Sequence, residues 1–390
     1  MIDHKRIRRL ALAIVSGLLV LGLTGCGQSA SSNGTGGGSS TGVTKSSVTF
    51  GQTVPFSGPA ALYGESTAGV RAYFAMVNAH GGVGGRKLKL NALDDQYTPP
   101  VAVQQTRKLT SSEFAEVAVN GSATTKAILN VLGPQGIPIV GPQSGATYLF
   151  QSTPRILFNV WPEYTIEGKL LGSFAQSRGL KKVGVIYQND DFGQSLYKGV
   201  LSSGLKPAKV ITYDPTQTDF SPQAQAFKSA GVDGVIILAI PKPTIAFLNA
   251  LAALNFKPTR MMSQVSAIPQ SFSAAPNEFP GSYIGAFIPP LQSSGNPQVS
   301  QFLQAMHQYE PGAPPSTFAA WGWTEAQVAV AGLKAVTGKL TRQSYIKGLE
   351  AIRNLETLGG TLSYGPGQHV GLQKMFMVQA RGGQLGPVAK

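Results

Sequence analysis

The side chains able to do chemistry are few, and their arrangement favours holding a solute over transforming one. Histidines stand only at positions 4, 80, 307 and 369, none at a metal-pair spacing. Cys26 is the single cysteine, so no intramolecular disulfide or cysteine metal cluster can form. No Gly-x-Ser-x-Gly elbow and no phosphate-loop Gly-Lys-Ser/Thr occurs. Asp94-Asp95 is a carboxylate pair, but adjacent residues at a strand end point apart. What recurs instead is an apolar strand breaking into a loop of Gly, Pro, Ser and Thr. Val48 to Gly64 is the first such loop, with Ser57, Tyr63 and Ser66 beside it; Gly121-Ser122-Ala-Thr124-Thr125 and Gly141-Pro-Gln-Ser144-Gly145 follow. Loops that open helices present backbone N–H groups and a positive helix end, which suits a small anionic or polar ligand. Asn78 to Arg86 is also glycine-rich, but it closes a helix, so it reads as a helix–strand turn.

The elements that must position these loops alternate. A helix opening at Glu65 carries Gly69, Val70, Tyr73, Phe74 and Val77 on one face and stops at His80-Gly81-Gly82. Strand Arg86–Leu93, helix Pro100–Thr110, strand Glu116–Asn120, a helix to Leu132 and strand Ile137–Val140 follow. After a helix from Tyr164 to Ser177 the plan begins again. Strand Lys182–Tyr187, loop Gln188–Gly193 and helix Gln194–Leu201 echo the opening stretch, with further strands at Lys209–Tyr213, Val235–Ile240 and Arg260–Ser263. Helices Pro297–Tyr309 and Phe318–Val336 come later, Asn354–Tyr364 shows no helical period, and Met375–Ala380 is expected as the final strand. Short continuous apolar strands between amphipathic helices predict α/β lobes, each a parallel sheet covered on both faces, with ligands at the carboxyl ends of the strands.

A chain of 390 residues is long enough for two domains, and 42% hydrophobic with 13% charged residues describes a globular protein. The net charge of +14 is scattered, without the aromatic-interleaved clusters of a nucleic-acid surface, so no nucleic-acid partner is expected. Residues 1–25 combine the basic stretch His4–Arg9 with the apolar run Leu10–Leu23, a signal peptide to be set apart from the fold. The run ends in Leu23-Thr24-Gly25-Cys26, which resembles the bacterial lipobox, so Cys26 is expected to be lipidated and to anchor the chain to the outer face of the cell membrane or in the periplasm. Gly27 to Ser47, almost pure Gly, Ser, Thr and Asn, reads as a flexible tether completing the anchored segment 26–47.

Phe56-Ser-Gly-Pro-Ala-Ala-Leu-Tyr-Gly64, Val77–Arg86, Asp94-Asp95, Val185–Gly193 and Thr218-Asp-Phe220, in this order, resemble the signature segments of the branched-chain amino-acid-binding-protein family of ABC transporters. The resemblance covers nearly the whole chain after the tether. It implies the type I periplasmic-binding-protein fold, two α/β lobes joined by three hinge crossings that close on a ligand. Residues 48–160 and 288–357 are then expected in lobe one, and 161–287 and 358–390 in lobe two.

The resemblance also implies a site. Ser122 matches the hydroxyl that holds a ligand carboxylate, with Thr124 close by, and Ser144 and Gly145 match the next loop. Tyr63, Tyr164 and Phe192 match aromatic walls. Ile240 and Gln264 fall where relatives that hold an α-amino group place a Tyr and an acid. Burying an ammonium without a paired charge costs several kcal/mol, so a zwitterionic ligand fits less well. Asp190, Asp191 and Glu163 are the nearest acids and read as solvated loop residues. The function expected is that of the extracytoplasmic subunit of an ABC importer, a non-enzymatic monomer without cofactor, binding an amino acid or a related carboxylate or amide and delivering it to permease subunits. A solute-sensing receptor is the alternative; the lack of a transmembrane or signalling segment before Lys390 favours delivery.

Overall fold

A computed structural model describes residues 40–151, 155–266, 273–292, 295–381 and 383–388. The signal segment, Cys26 and the tether up to residue 39 lie outside them. The folded part begins before Val48, and so shortens the expected tether. Val43 is buried and bridges to Val48, while the Thr44 hydroxyl accepts the Ser47 N–H at 2.9 Å.

The first sheet has the order β2-β1-β3-β4-β5, all parallel, from β1 (Ser47–Val54), β2 (Lys87–Asp94), β3 (Ala115–Val117), β4 (Ile139–Val140) and β5 (Leu157–Phe158). Its helices are α1 (Ser66–Ala79), α2 (Pro99–Leu109), α3 (Ser122–Leu132) and the short α4 (Tyr148–Gln151). β1 is buried along nearly its whole length, as a strand with helices over both faces must be. Such side chains contribute roughly 1.5–3 kcal/mol each on leaving water.

After α5 (Tyr164–Ser177) the chain builds the second sheet. β6 (Val183–Gln188), β7 (Lys209–Tyr213), β8 (Gly234–Leu238), β9 (Thr259–Met262) and β10 (Tyr283–Ala286) are parallel in the order β10-β9-β8-β6-β7. Helices α6 (Asp191–Ser202), α7 (Ser221–Ser229) and α8 (Pro241–Ala253) connect them. The chain then returns to the first sheet through α9 (Pro297–Tyr309), α10 (Thr317–Lys334) and α11 (Arg342–Glu350). On α10, Trp323 packs edge-on against Tyr73 of α1 and Phe302 of α9, and on α11 Tyr345 packs against Phe50 and Phe114. Gly69 and Gly322 let α1 and α10 touch backbone to backbone, since a Cβ at either would fall within 2 Å of a carbonyl oxygen.

Three features depart from the sequence expectation. The helix α11 was not foreseen; it opens on a Thr341–Ser344 capping box, a local signal its weak apolar period hides. Residues 355–362 form a two-stranded hairpin, β11 (Leu355–Thr357) with β12 (Gly360–Leu362). The second sheet is not wholly parallel and Met375–Ala380 is not its last strand. β13 (Phe376–Arg381) runs antiparallel to β10, and β14 (Gln384–Pro387) runs antiparallel to β13. A two-strand hairpin at a sheet edge needs no helical crossover, so the alternating pattern gives no warning of it.

Candidate functional site

The carboxyl ends of β1, β3 and β4 face those of β6, β8 and β9 across a cavity of about 250 Å³. The first lobe contributes Tyr63, Gly121 and Ser122 to its lining, and the second contributes Phe192, Ile240 and Val265. Tyr164, the first residue of α5, lines it where the chain passes from one lobe to the other. Four of the residues singled out from sequence, Tyr63, Ser122, Tyr164 and Phe192, are therefore brought together.

Ser122 starts α3, and its buried hydroxyl lies 2.8 Å from that of Ser144. The loop reaches this position because Gly121 has φ +91°, where a side chain is strained. A Cβ there would also lie 2.6 Å from Thr124 Oγ1 and 2.8 Å from the Tyr97 ring. First-turn N–H groups of a helix have no intrahelical acceptor, so this end of α3 turns donors towards the cavity loop.

The other expected residues hold the walls. Thr124 turns its hydroxyl onto the Asn120 and Gly121 carbonyls and does not line the cavity. Ser144 touches Ser122 and accepts the Ala146 N–H at 3.2 Å. Gly145 gives Tyr164 room, its carbonyl accepting the Tyr164 N–H at 2.7 Å. Gln264 lines a different cavity, on the far side of Val265. Its backbone N–H donates to Glu167 at 2.6 Å.

Asp190 is not the solvated loop acid expected. It caps α6, accepting the Phe192 and Gly193 N–H groups at 3.0 and 3.2 Å, and takes a further bond from Gln188 Nε2 at 2.6 Å. Burial still pushes its carboxyl above the usual range. The Gln188 amide oxygen accepts from the Tyr213 hydroxyl at 3.0 Å, and that hydroxyl accepts the Ile240 N–H at 3.1 Å. Asp190 is thus the end of a structural network. Asp191 pairs with Lys126 at 3.0 Å.

Sequence reasoning missed Tyr97, Asn120, Gln143 and Trp161, which also line the cavity. Tyr97 adopts φ +59° in a turn where Asp95 Oδ1 accepts its N–H at 2.8 Å; an Asp two residues before an aromatic was the available signal. Gln143 and Trp161 are fixed from behind by Glu325 of α10, which accepts from Gln143 Nε2 at 2.9 Å and Trp161 Nε1 at 2.7 Å. Burial raises the Glu325 carboxyl well above its ordinary value, against the opposing hydrogen bonds from Gln143 and Trp161. Nothing in the local sequence of α10 pairs Glu325 with partners more than 160 residues away.

None of the described residues lining this cavity is an Asp, Glu, Lys or Arg. Its chemistry is hydroxyl, amide, backbone and aromatic ring. Contacts among the described residues tie the lobes across it, including a bond from Gln188 Nε2 to the Tyr97 hydroxyl at 3.4 Å. The Tyr63 hydroxyl donates to the Val265 carbonyl at 3.2 Å, Lys242 to the Gly58 carbonyl at 2.8 Å, and the Thr147 N–H to the Ser195 hydroxyl at 3.1 Å; Lys126 and Asp191 make another.

This two-lobed geometry agrees with a sequence profile of periplasmic binding proteins, which matches residues 47–384. The chain belongs to the periplasmic binding protein family. A Leu/Ile/Val-binding protein homolog 7 of Brucella abortus is 24% identical over 317 residues, covering 75% of this chain and 78% of that protein. Among solved structures, a possible leucine/isoleucine/valine-binding protein from Rhodopirellula baltica superposes with TM-score 0.82 at 22% identity, covering 88% of this chain and 96% of its own. An ABC-transporter solute-binding protein from R. palustris in complex with benzoate gives 0.78 at 22% identity, covering 87% and 94%. The resemblance read from the sequence is therefore borne out: this is an extracytoplasmic solute-binding protein of the Leu/Ile/Val-binding type, not an enzyme.

Proposed function

We propose that this protein is the lipid-anchored solute-binding subunit of an ABC importer, acting as a monomer and capturing a small carboxylate or amide that lacks an α-ammonium group. The observation that carries this reading is the uncharged lining of the interlobe cavity. A zwitterionic amino acid brings an ammonium that would find no carboxylate there, at a cost of several kcal/mol. A carboxylate or carbonyl finds donors in Ser122, Asn120 and the α3 N-terminus, and Tyr63, Tyr164 and Phe192 cover an apolar remainder. The benzoate complex of the R. palustris relative shows that this fold accommodates such a solute. Cys26 supplies the anchor, and lobe closure offers the permease a defined surface.

The test is a thermal-shift screen of the full-length chain against leucine, isoleucine, valine, their amides, benzoate and short-chain acids. A ligand at about 100 times its dissociation constant adds about 2.7 kcal/mol of stability. Stabilisation by acids or amides, with none by the three amino acids, is expected; the reverse order overturns the assignment. With the ligand so found, Ser122→Ala should weaken binding by about 1–3 kcal/mol, read by calorimetry, through a lost hydrogen bond to a charged or strongly polar group. An unchanged affinity removes Ser122 from the site.

A further inference from the structure

A second cavity, about 590 Å³ and open at one side, lies beside the interlobe one. It is bounded by the crossing from β10 towards α9, by the start of α10 and by the β13–β14 turn. Ala286, Phe287, Ile288 and Leu291 line it from the crossing, Thr317 and Trp321 from α10, and Leu385 from β14. A wall separates the two cavities. Val265 and Trp161 face the smaller one, whereas their neighbours Gln264 and Trp321 face the larger. Trp161 and Trp321 pack edge-on with ring centres 4.4 Å apart, and Phe287 lies parallel to Trp321 at 6.4 Å.

One polar group in this lining, a donor, lacks a hydrogen-bond acceptor. Trp321, 1% exposed, makes no hydrogen bond through Nε1, whereas the Gln264 side chain is directed at the Glu167 carboxyl. Buried donors are satisfied in nearly all native proteins, and leaving one unpaired costs about 1–3 kcal/mol. An occupant bearing an oxygen acceptor would meet that need. Its charge is constrained as well. The Glu167 carboxyl sits against Gly285 in the lining and accepts the Gln264 N–H at 2.6 Å, and no Lys or Arg is among the described lining residues. A carboxylate would face an acid without a counter-charge, whereas a neutral carbonyl would not.

We propose that this cavity is a second small-molecule site, distinct from the interlobe cavity, that takes a neutral apolar carbonyl compound such as an aryl ketone, ester or amide. The lining supplies apolar rings and side chains for the body and the Trp321 Nε1 donor for the oxygen.

The probe is acetophenone, with benzoate as its charged counterpart, titrated into the full-length chain by calorimetry and by quenching of tryptophan fluorescence. Saturable binding of acetophenone is expected. Thr317→Phe and Leu385→Trp fill the cavity from two separate, half-exposed positions, and each should weaken acetophenone at least tenfold in protein whose melting temperature is retained. Absence of saturable acetophenone binding overturns the proposal. So does an affinity that survives both filling substitutions, or one that falls with Ser122→Ala and with neither of them, because the ketone then sits in the interlobe cavity.

Discussion

Glu167 offers a measurement that needs no ligand. Its side chain is fully buried at the first turn of α5, Oε1 accepts the Gln264 N–H at 2.6 Å and Oε2 has no hydrogen-bond partner of normal length. Loss of water on burial raises its pKa to about 7, despite opposing hydrogen bonds from Gln264 and Ser263. A carboxyl whose folded pKa lies above the unfolded value binds more protons when folded. Its stabilising share is fully present below the unfolded value near 4.5 and is lost as pH rises through 7. The shift from 4.5 to about 7 is worth roughly 3 kcal/mol at about 1.4 kcal/mol per unit. Glu167→Gln keeps an oxygen for the Gln264 N–H and removes the titration. Urea unfolding of both proteins, followed by tryptophan fluorescence from pH 4.5 to 7.5, should show the wild type losing about 3 kcal/mol more than the variant across that range. Asp95 and Glu116, also raised by burial, titrate in both proteins, so the difference isolates Glu167. Curves that stay parallel within about 0.5 kcal/mol refute the reasoning.

Two further substitutions bear on the interlobe cavity. Gly121→Ala should cost about 1–3 kcal/mol of stability by thermal or urea unfolding, because a side chain is strained at this φ and collides with Thr124 and Tyr97; a cost below about 0.5 kcal/mol would mean the loop is free to move. Lys242→Ala removes a cross-lobe bond to Gly58 at the exposed rim. It should leave the melting temperature nearly unchanged and speed ligand release by no more than about fivefold in stopped flow, since exposed charged contacts are worth up to about 1 kcal/mol. A much larger change in release would make that contact the principal latch.

Much of the fold was legible because its signals are local. Short apolar strands alternate with helices, and Gly/Pro/Ser loops mark where one becomes the other. Tyr63, Ser122, Tyr164 and Phe192 were reached through the family resemblance; each stands in or beside a strand–loop–helix junction, and in a parallel α/β sheet such junctions converge. The antiparallel β13–β14 edge was not legible, because an apolar run carries no mark of the direction in which its partner runs. Asp190 was misjudged because an acid in a polar loop has the same sequence appearance whether it faces water or caps the next helix.

By itself the sequence determined two α/β lobes, the loops that meet between them and the shortage of charge suited to an ammonium group. Tertiary structure alone decided which residues meet across the chain: Glu325 behind Gln143 and Trp161, Asp190 turned inward as a cap, and Gln264 on the far side of Val265 from the cavity it was expected to line. Periodicity says which face of an element is buried, but neighbouring residues of a turn point in different directions. Only the packing of the crossings against α10 settles which cavity each one reaches.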